Sequence, residues 1–286
     1  MRPVRWSVVV LTYNRVDALG LVLRALAPQL DADCELVVAD DGSRPEQVAA
    51  LHRLADELSP WPCRLLHVWH PDVGFTAAQA RNLGALASSG QRLIFLDGDC
   101  VPNPRFMAAQ RTLDAPGWFV NGSRVLLGAA LTQRALAQPQ LLLRARWPDW
   151  LRWRLVGQAN KQLHALWPGA VRARAVPGFV WKRIRSCNFA LDRLDFERVN
   201  GFDETFAGWG HEDADLVLRL HHAGLQRRNA WLGAEVYHLW HPQSARHAEQ
   251  DNRATVRQRQ KTGLVRALRG LDAHLETTDA VVTILR

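Results

Sequence analysis

The chain has 286 residues, 48% of them apolar, enough for one large domain or two fused halves. Its formal charge of +8 rests almost wholly on arginine, since lysine occurs only at Lys161, Lys182 and Lys261; phosphorylated sugars, anionic lipid and nucleic acid are all admissible partners, and a GC-rich coding bias explains the excess equally well. No stretch approaches the ~20 uncharged apolar residues of a membrane span, "SVVVL" has no signal-peptide cleavage site after it, and Cys34, Cys63, Cys100 and Cys187 have neither CxxC nor zinc-ligand spacing, so a cytosolic protein without a disulfide framework or zinc centre is expected.

The first 110 residues alternate short apolar runs with amphipathic stretches. "WSVVVLT" predicts a buried strand, and Ala18, Leu19, Val22, Leu23 and Leu26 mark a helical face. "CELVVADD" is the second strand, followed by the helix "PEQVAALHRLADEL" with Pro45 suited to its first turn. "CRLLHVW" is the third strand. "TAAQARNLGALASS" is a helix for which Gly90 is the expected C-terminal stop. "QRLIFLD" is the fourth strand. This alternation predicts an α/β fold with a mostly parallel sheet covered on both faces, whose ligands bind beyond the carboxyl ends of the strands. Three of those ends are polar: "TYNR" (Thr12, Tyr13, Asn14, Arg15), "DDGS" from Asp40 and Asp41, and "DGD" (Asp97, Gly98, Asp99).

From about Asp114 the pattern changes. "WFVNGSRVLL" predicts a strand, and residues 144–185 are rich in tryptophan and arginine. "SCNFALD" reads as a strand, Asp213 to Ala223 as a helix, and "AEVYHLWHP" as a last strand ending in histidines. The polar tail is expected to be helical from about Asp251 to Leu275. The organisation expected is a first unit at 1–110, a second at 111–245 and a helical tail at 246–286. There is no internal repeat.

Two carboxylates separated by one glycine repel unless something positive lies between them. The glycine gives the turn its backbone freedom, and oxygen ligands of this kind suit magnesium or manganese. Alone, a D-x-D turn is as readily a solvated acidic loop. In combination it is more specific, because "VVVLTYNR", "VVADDGS", "ARNLGALASSG" and "IFLDGD" occur in that order.

With this ordered set the chain resembles the family 2 glycosyltransferases of the GT-A fold, over residues 4 to about 240. The resemblance implies that 1–110 is the nucleotide-sugar-binding half, holding most simply a UDP-sugar, and that 111–245 is the acceptor-binding and catalytic half. Thr12 and Tyr13 would border the base, with Asn14 and Arg15 in the same loop. Asp41 would accept the base N–H, supported by Asp40. Arg81 would lie near the diphosphate. Asp97, with Gly98, would contact the ribose, and Asp99 would bind a divalent cation that bridges the phosphates.

A second element, "GWGHEDADL", follows "GFDE" and is similar to the WGxEDxD element of inverting galactosyl- and N-acetylgalactosaminyltransferases. This implies Asp213 as the catalytic base, Glu212 on a sugar hydroxyl, Trp209 stacked on a sugar ring, and Gly208 and Gly210 as loop hinges. The competing reading is that Glu212, Asp213 and Asp215 only cap a helix. In "VYHLWHP", His238 and His241 would face opposite sides of a strand but could converge in a turn. The resemblance implies that one of them, His238 first, completes the metal shell; imidazole favours Mn2+ over Mg2+. Asn188 in "RSCNFALDR" is expected to contact the donor sugar or acceptor.

The expectation is thus a metal-dependent inverting transferase of galactose or N-acetylgalactosamine. Its acceptor would be a saccharide or lipid-linked glycan, in surface polysaccharide or lipopolysaccharide synthesis. The Trp- and Arg-rich stretch 144–185 suggests peripheral contact with an anionic membrane from the cytoplasmic side. A nucleotidyltransferase would need a glycine-rich basic loop after the first strand, which "LTYNRVDAL" lacks. A nucleic-acid module has only the basic charge in its favour. An inactive nucleotide-sugar-binding scaffold is the alternative.

Overall fold

The computed structural model describes residues 5–165, 171–206, 208, 210–242, 248–276 and 278–286. Strands β1 (Trp6–Thr12), β2 (Cys34–Asp40), β3 (Arg64–Trp69) and β4 (Arg92–Asp97) lie parallel in the order β3-β2-β1-β4. Helices α1 (Val16–Leu26), α2 (Pro45–Glu57) and α3 (Ala77–Ala87) connect them. Each strand is apolar on both faces because each face is covered. Val8 and Val10 enter one core layer with Leu36, Val38, Ile94 and Leu96, while Val9 enters the other with Val37, Leu93 and Phe95. Phe95 packs between Phe196 and Phe202 at centroid distances of 5.2 and 5.3 Å. Burying one such ring contributes about 1.5–3 kcal/mol.

After β4 come β5 (Cys100–Pro102), α4 (Phe106–Leu113), β6 (Trp118–Gly122), β7 (Arg124–Leu126), α5 (Ala129–Ala137), α6 (Gln140–Leu143) and α7 (Trp147–Leu155). Then follow β8 (Arg172–Val176), β9 (Asn188–Asp192), α8 (Arg193–Arg198), α9 (Glu212–His222), β10 (Gln226–Trp231), β11 (Val236–His238), α10 (Glu249–Thr262) and β12 (Val281–Ile284). β9 joins β4 antiparallel, so one sheet of nine strands runs β12-β3-β2-β1-β4-β9-β6-β10-β8. A second sheet, β5-β11-β7, stands beside it. No helix among the described residues is long and apolar enough to cross a membrane.

Three local expectations need correction. Gly90 is not a left-handed helix stop; α3 ends at Ala87 with Ser88 extended. A Cβ on Gly90 would come within 2.4 Å of Ser7 Oγ, and the Gly90 N–H instead donates to Ser7 Oγ and Glu35. "WFVNGSRVLL" is two strands, because the chain leaves the large sheet at Gly122 and enters the small one at Arg124. Gly122 is required there: a Cβ would meet the Asn188 amide at 2.1 Å. Among the described residues the tail is α-helical over Glu249–Thr262 with a short 3-10 helix at Leu271–His274, and its end returns as β12 to pair antiparallel with β3.

Two of the three tryptophans of α7 are core residues. Trp150 and Trp153 are buried, and Trp150 packs on His164 and Tyr237 at 4.4 and 4.5 Å. Trp167 lies outside the described residues.

Helix α9 is held by a buried charge network. Arg259 Nη1 donates to Asp203 at 2.8 Å and to Asp215 at 2.7 Å, and Arg219 Nε donates to Asp215 at 2.7 Å. Both carboxylates are fully buried. Asp215 is therefore more than a helix cap. Removing one partner strands a buried charge, at a cost of about 3–5 kcal/mol. Arg259→Met is expected to lower the melting temperature by on the order of 10 °C, read by circular dichroism; a shift below ~2 °C would mean the network is not a stabilising unit.

Candidate functional site

A cleft of about 1170 Å³ opens at the carboxyl ends of β1 and β4 and is closed on its far side by the start of α9. Asp99 and Asp213 both line it. Thr12, Tyr13, Arg15, Asp41, Arg81, Asp97, Gly98, Gly210, Glu212, His238 and His241 line it too.

The nucleotide-side loops are tied together from behind. The Asn14 N–H donates to Ser43 Oγ at 2.8 Å, and Asn14 Oδ1 accepts the Arg44 N–H at 2.9 Å. Asn14 thus braces the loop and is not among the residues that line the cleft. Asp40 is likewise turned inward: it accepts the Ser43 N–H at 2.8 Å and sits 3.0 Å from His67 Nε2. Asp41 faces the cleft, accepting the Thr76 hydroxyl at 2.5 Å and the Thr76 N–H at 3.1 Å. Its other neighbour is His70 Nε2 at 3.2 Å. Burial works against protonating His70, but the hydrogen bond and charge of Asp41 raise it above its ordinary value.

Gly98 lets the acidic turn fold back on β1. Its N–H donates to the Leu11 carbonyl at 2.6 Å, and a Cβ there would sit 2.7 Å from the same oxygen. The turn sends Asp97 and Asp99 to different partners. Arg81, itself buried, donates Nη2–H to Asp97 Oδ1 at 2.8 Å and reaches Glu212 Oε1 with Nη1 at 3.4 Å. One guanidinium therefore links the end of β4 to the start of α9.

Asp99 meets the histidines. His241 Nε2 is 3.2 Å from Asp99 Oδ2, His238 Nε2 is 3.9 Å from Oδ1, and the two rings are 5.2 Å apart. They converge because β11 ends at His238 and the chain turns before His241. His241 Nδ1 lies 2.7 Å from the Pro242 carbonyl; donating there leaves Nε2 with a lone pair toward Asp99. Burial holds His238 below its ordinary value, against the pull of Asp99, so its imidazole is neutral. Asp99, Cys100 and His238 bring one ligand atom each within 4.8 Å of one another, and His241 stands beside them, an arrangement that fits a divalent cation. Arg15 Nη1, 3.9 Å from Asp99 Oδ2, adds fixed positive charge alongside.

Glu212 and Asp213 occupy the first turn of α9, behind a left-handed His211 (φ 72°). Asp213 Oδ1 accepts the Ala214 N–H at 2.7 Å. Helix N-termini favour negative charge, yet two adjacent carboxylates in a desolvated wall cannot both ionise freely. Burial and the Asp213 charge push Glu212 up to about 7, with Arg81 pulling the other way. Burial also raises Asp213. Between pH 4.5, where the carboxyl ordinarily titrates, and about 7, the folded chain keeps a proton that the unfolded chain gives up. Stability contributed by this group therefore falls as pH rises across that window and is constant above it. Glu212→Gln is expected to raise the melting temperature at pH 8 and to leave it nearly unchanged at pH 4. Equal shifts at both pH values would reject the raised carboxyl.

Asn188 does not reach the cleft. It is fully buried and donates through Nδ2 to the carbonyls of Ser123 (3.1 Å) and Ala234 (2.7 Å), bridging the two sheets; its neighbours Ser186 and Cys187 line the cleft instead. Trp209 lies outside the described residues. Trp181, near His211 at 5.5 Å, is an aromatic wall of the cleft, whereas the sequence suggested for its Trp- and Arg-rich stretch a contact with membrane. Arg185, the first residue of "RSCNFALDR", lines the cleft as well, and Arg124 does so unanticipated. The only signal for Arg124 was a general arginine excess.

Residues 7–124 match the family described as glycosyl transferase family 2, and residues 173–242 match the one described as N-terminal domain of galactosyltransferase. The first match contains the three polar strand ends, and the second contains Asp213, His238 and His241. Validoxylamine A glucosyltransferase of Streptomyces hygroscopicus subsp. jinggangensis is 33% identical over 254 residues, covering 81% of this chain and 55% of that protein. Chondroitin synthase of Escherichia coli is 27% identical over 251 residues, covering 81% and 34%. The chain thus spans about half, or less, of the length of these relatives. Among solved structures, the mannosyltransferase PcManGT from Pyrobaculum calidifontis, in complex with GDP-Man and Mn2+, superimposes with a TM-score of 0.56 at 17% identity, over 94% of this chain and 66% of that one. The shared fold is GT-A-like, a mixed α/β architecture around a largely parallel sheet.

Proposed function

Because the chain belongs to glycosyl transferase family 2, we propose that it is a metal-dependent inverting hexosyltransferase. In this reading it moves galactose or N-acetylgalactosamine from a UDP-sugar to a saccharide or lipid-linked glycan during surface polysaccharide or lipopolysaccharide synthesis. The observation that carries the reading is that the Asp99–His238–His241 cluster and the carboxylates of α9 line one cleft.

Thr12 and Tyr13 border the base, Asp41 accepts its N–H, and Asp97 takes the ribose hydroxyls. Asp99, His238 and His241 would hold the divalent cation, Mn2+ in preference to Mg2+. Such a cation, when bound, offsets the charge that develops on a departing nucleoside diphosphate. Arg15 contributes further positive charge there. On the other wall, Glu212 and Gly210 orient the sugars. Asp213 takes the proton of the acceptor hydroxyl as that oxygen bonds to the anomeric carbon and the bond to the diphosphate breaks. One displacement with no covalent nucleophile inverts the configuration. Peripheral contact with an anionic membrane, part of this reading, is supported by exposed Leu155 and Val156 beside Arg152 and Arg154.

The deciding experiment measures nucleoside diphosphate release from a panel of UDP- and GDP-sugars with Mn2+, with glycan acceptors present. Release from a UDP-hexose, abolished by chelator, is the expected result. Binding of UDP without turnover of any donor would favour the inactive scaffold.

A further inference from the structure

The flank of the cleft beyond Asp213 is strongly positive, and nothing in the donor reading uses it. The chain crosses from β6 to β7 at Ser123, which puts Arg124 on the cleft wall. Lys161 Nζ donates to Ser123 Oγ at 2.6 Å. The Arg185 carbonyl accepts Asn121 Nδ2–H at 2.7 Å, which fixes that segment to the same turn, and Arg185 also lines the cleft. Three cations thus surround one crossover.

Among the described residues, none of Arg124, Lys161, Arg183 and Arg185 forms an ion pair with a carboxylate. Arg124 Nε is buried without a hydrogen-bond partner. Mutual repulsion registers in both Arg185 and Lys161. Burial and then Arg124 hold Arg185 below its ordinary value, and burial together with Arg185, Arg183 and Arg124 does the same to Lys161, with Glu235 opposing. Glu235 is the strongest of the charges acting on Lys161 and opposes the shift, but it forms no ion pair with it among the described residues; its oxygens accept the Leu232 and Gly233 N–H groups. Like charges gathered in a partly desolvated wall are unfavourable by themselves and become favourable when an anion enters.

Strand order separates this cluster from the nucleotide loops. Thr12 and Asp41 belong to the ends of β1 and β2, whereas Arg185 precedes β9 and Arg124 follows β6, on the other side of β4. Asp213 is the carboxylate whose charge acts on Arg185. Trp240, about half exposed, lines the cleft as well and offers a ring face for a sugar.

We propose that Arg124 and Arg185, with Lys161 at the rim, form an anion subsite for the acceptor. The acceptor sugar then carries a phosphate or carboxylate group, held there while the hydroxyl to be glycosylated faces Asp213. This rests on the transferase reading of the cleft.

The test uses the full chain loaded with UDP and Mn2+, titrated with glucose, glucose 6-phosphate and glucuronate, with binding followed by saturation-transfer NMR and calorimetry. At least one anionic sugar is expected to bind tenfold or more tighter than glucose, with an advantage that shrinks as salt rises; which anion wins separates a phosphorylated acceptor from a uronate. In the Arg124→Gln/Arg185→Gln variant this advantage should fall about tenfold while UDP affinity stays within a factor of two. Lys161→Gln, at an exposed position, should cost about threefold and serves if the double variant fails to fold. Equal binding of all three sugars overturns the proposal. So does a loss confined to UDP affinity, which would make the cluster part of the donor site. If the parent chain binds no UDP with Mn2+, the transferase reading itself fails.

Discussion

Asp213→Asn is expected to lower the turnover number about 10³-fold while leaving UDP affinity within a factor of two. The amide matches the carboxylate in shape and still accepts the Ala214 N–H, made at 2.7 Å in the parent, so the start of α9 should be undisturbed. What it cannot do is take a proton. Glu212 is a poor substitute, because its carboxylate is engaged by Arg81, whose Nη1 reaches it at 3.4 Å. Nucleoside diphosphate release gives the rate, and calorimetry with UDP and Mn2+ gives the affinity. Turnover within tenfold of the parent would move the base away from Asp213.

Asp99→Ala should weaken UDP binding in the presence of Mn2+ by about 10²-fold, to the level seen without metal. Among the described residues Asp99 is the one carboxylate paired with His238 and His241, at 3.9 and 3.2 Å. Without it the two imidazoles remain, and an imidazole supplies no negative charge to attract a cation. Metal-free UDP affinity should be unchanged, because the nucleotide-side loops are braced by Asn14, Asp40 and Thr76 independently of Asp99. A variant that keeps the manganese enhancement would place the cation elsewhere.

The sequence reveals this site where its residues follow strands. The polar ends of β1, β2 and β4 are visible because a buried parallel strand is a continuous apolar run, so its exit into "TYNR", "DDGS" or "DGD" is abrupt. The pairing of His238 with His241 is half visible: their spacing is plain, but convergence depends on β11 ending at His238. Asn188 misleads because polarity beside a motif suggests contact, whereas here its amide satisfies two carbonyls where two sheets part. Arg124 and Arg185 are 61 positions apart in the numbering and meet only through the crossover at Ser123. No local periodicity encodes such a meeting. β12 escapes for the same reason, since its partner β3 lies about 200 residues upstream.

The antiparallel seam between β4 and β9 has a consequence for anyone dissecting this protein. Arg92 through Leu96 are zipped to Asn188 through Asp192, so the acidic turn that follows is anchored from the later half of the polypeptide. A fragment stopped near residue 110 would bare that flank of β4, with its amides and carbonyls open to any passing strand. Such a fragment should precipitate or self-associate on expression, and the nucleotide pocket would have to be studied in the intact molecule.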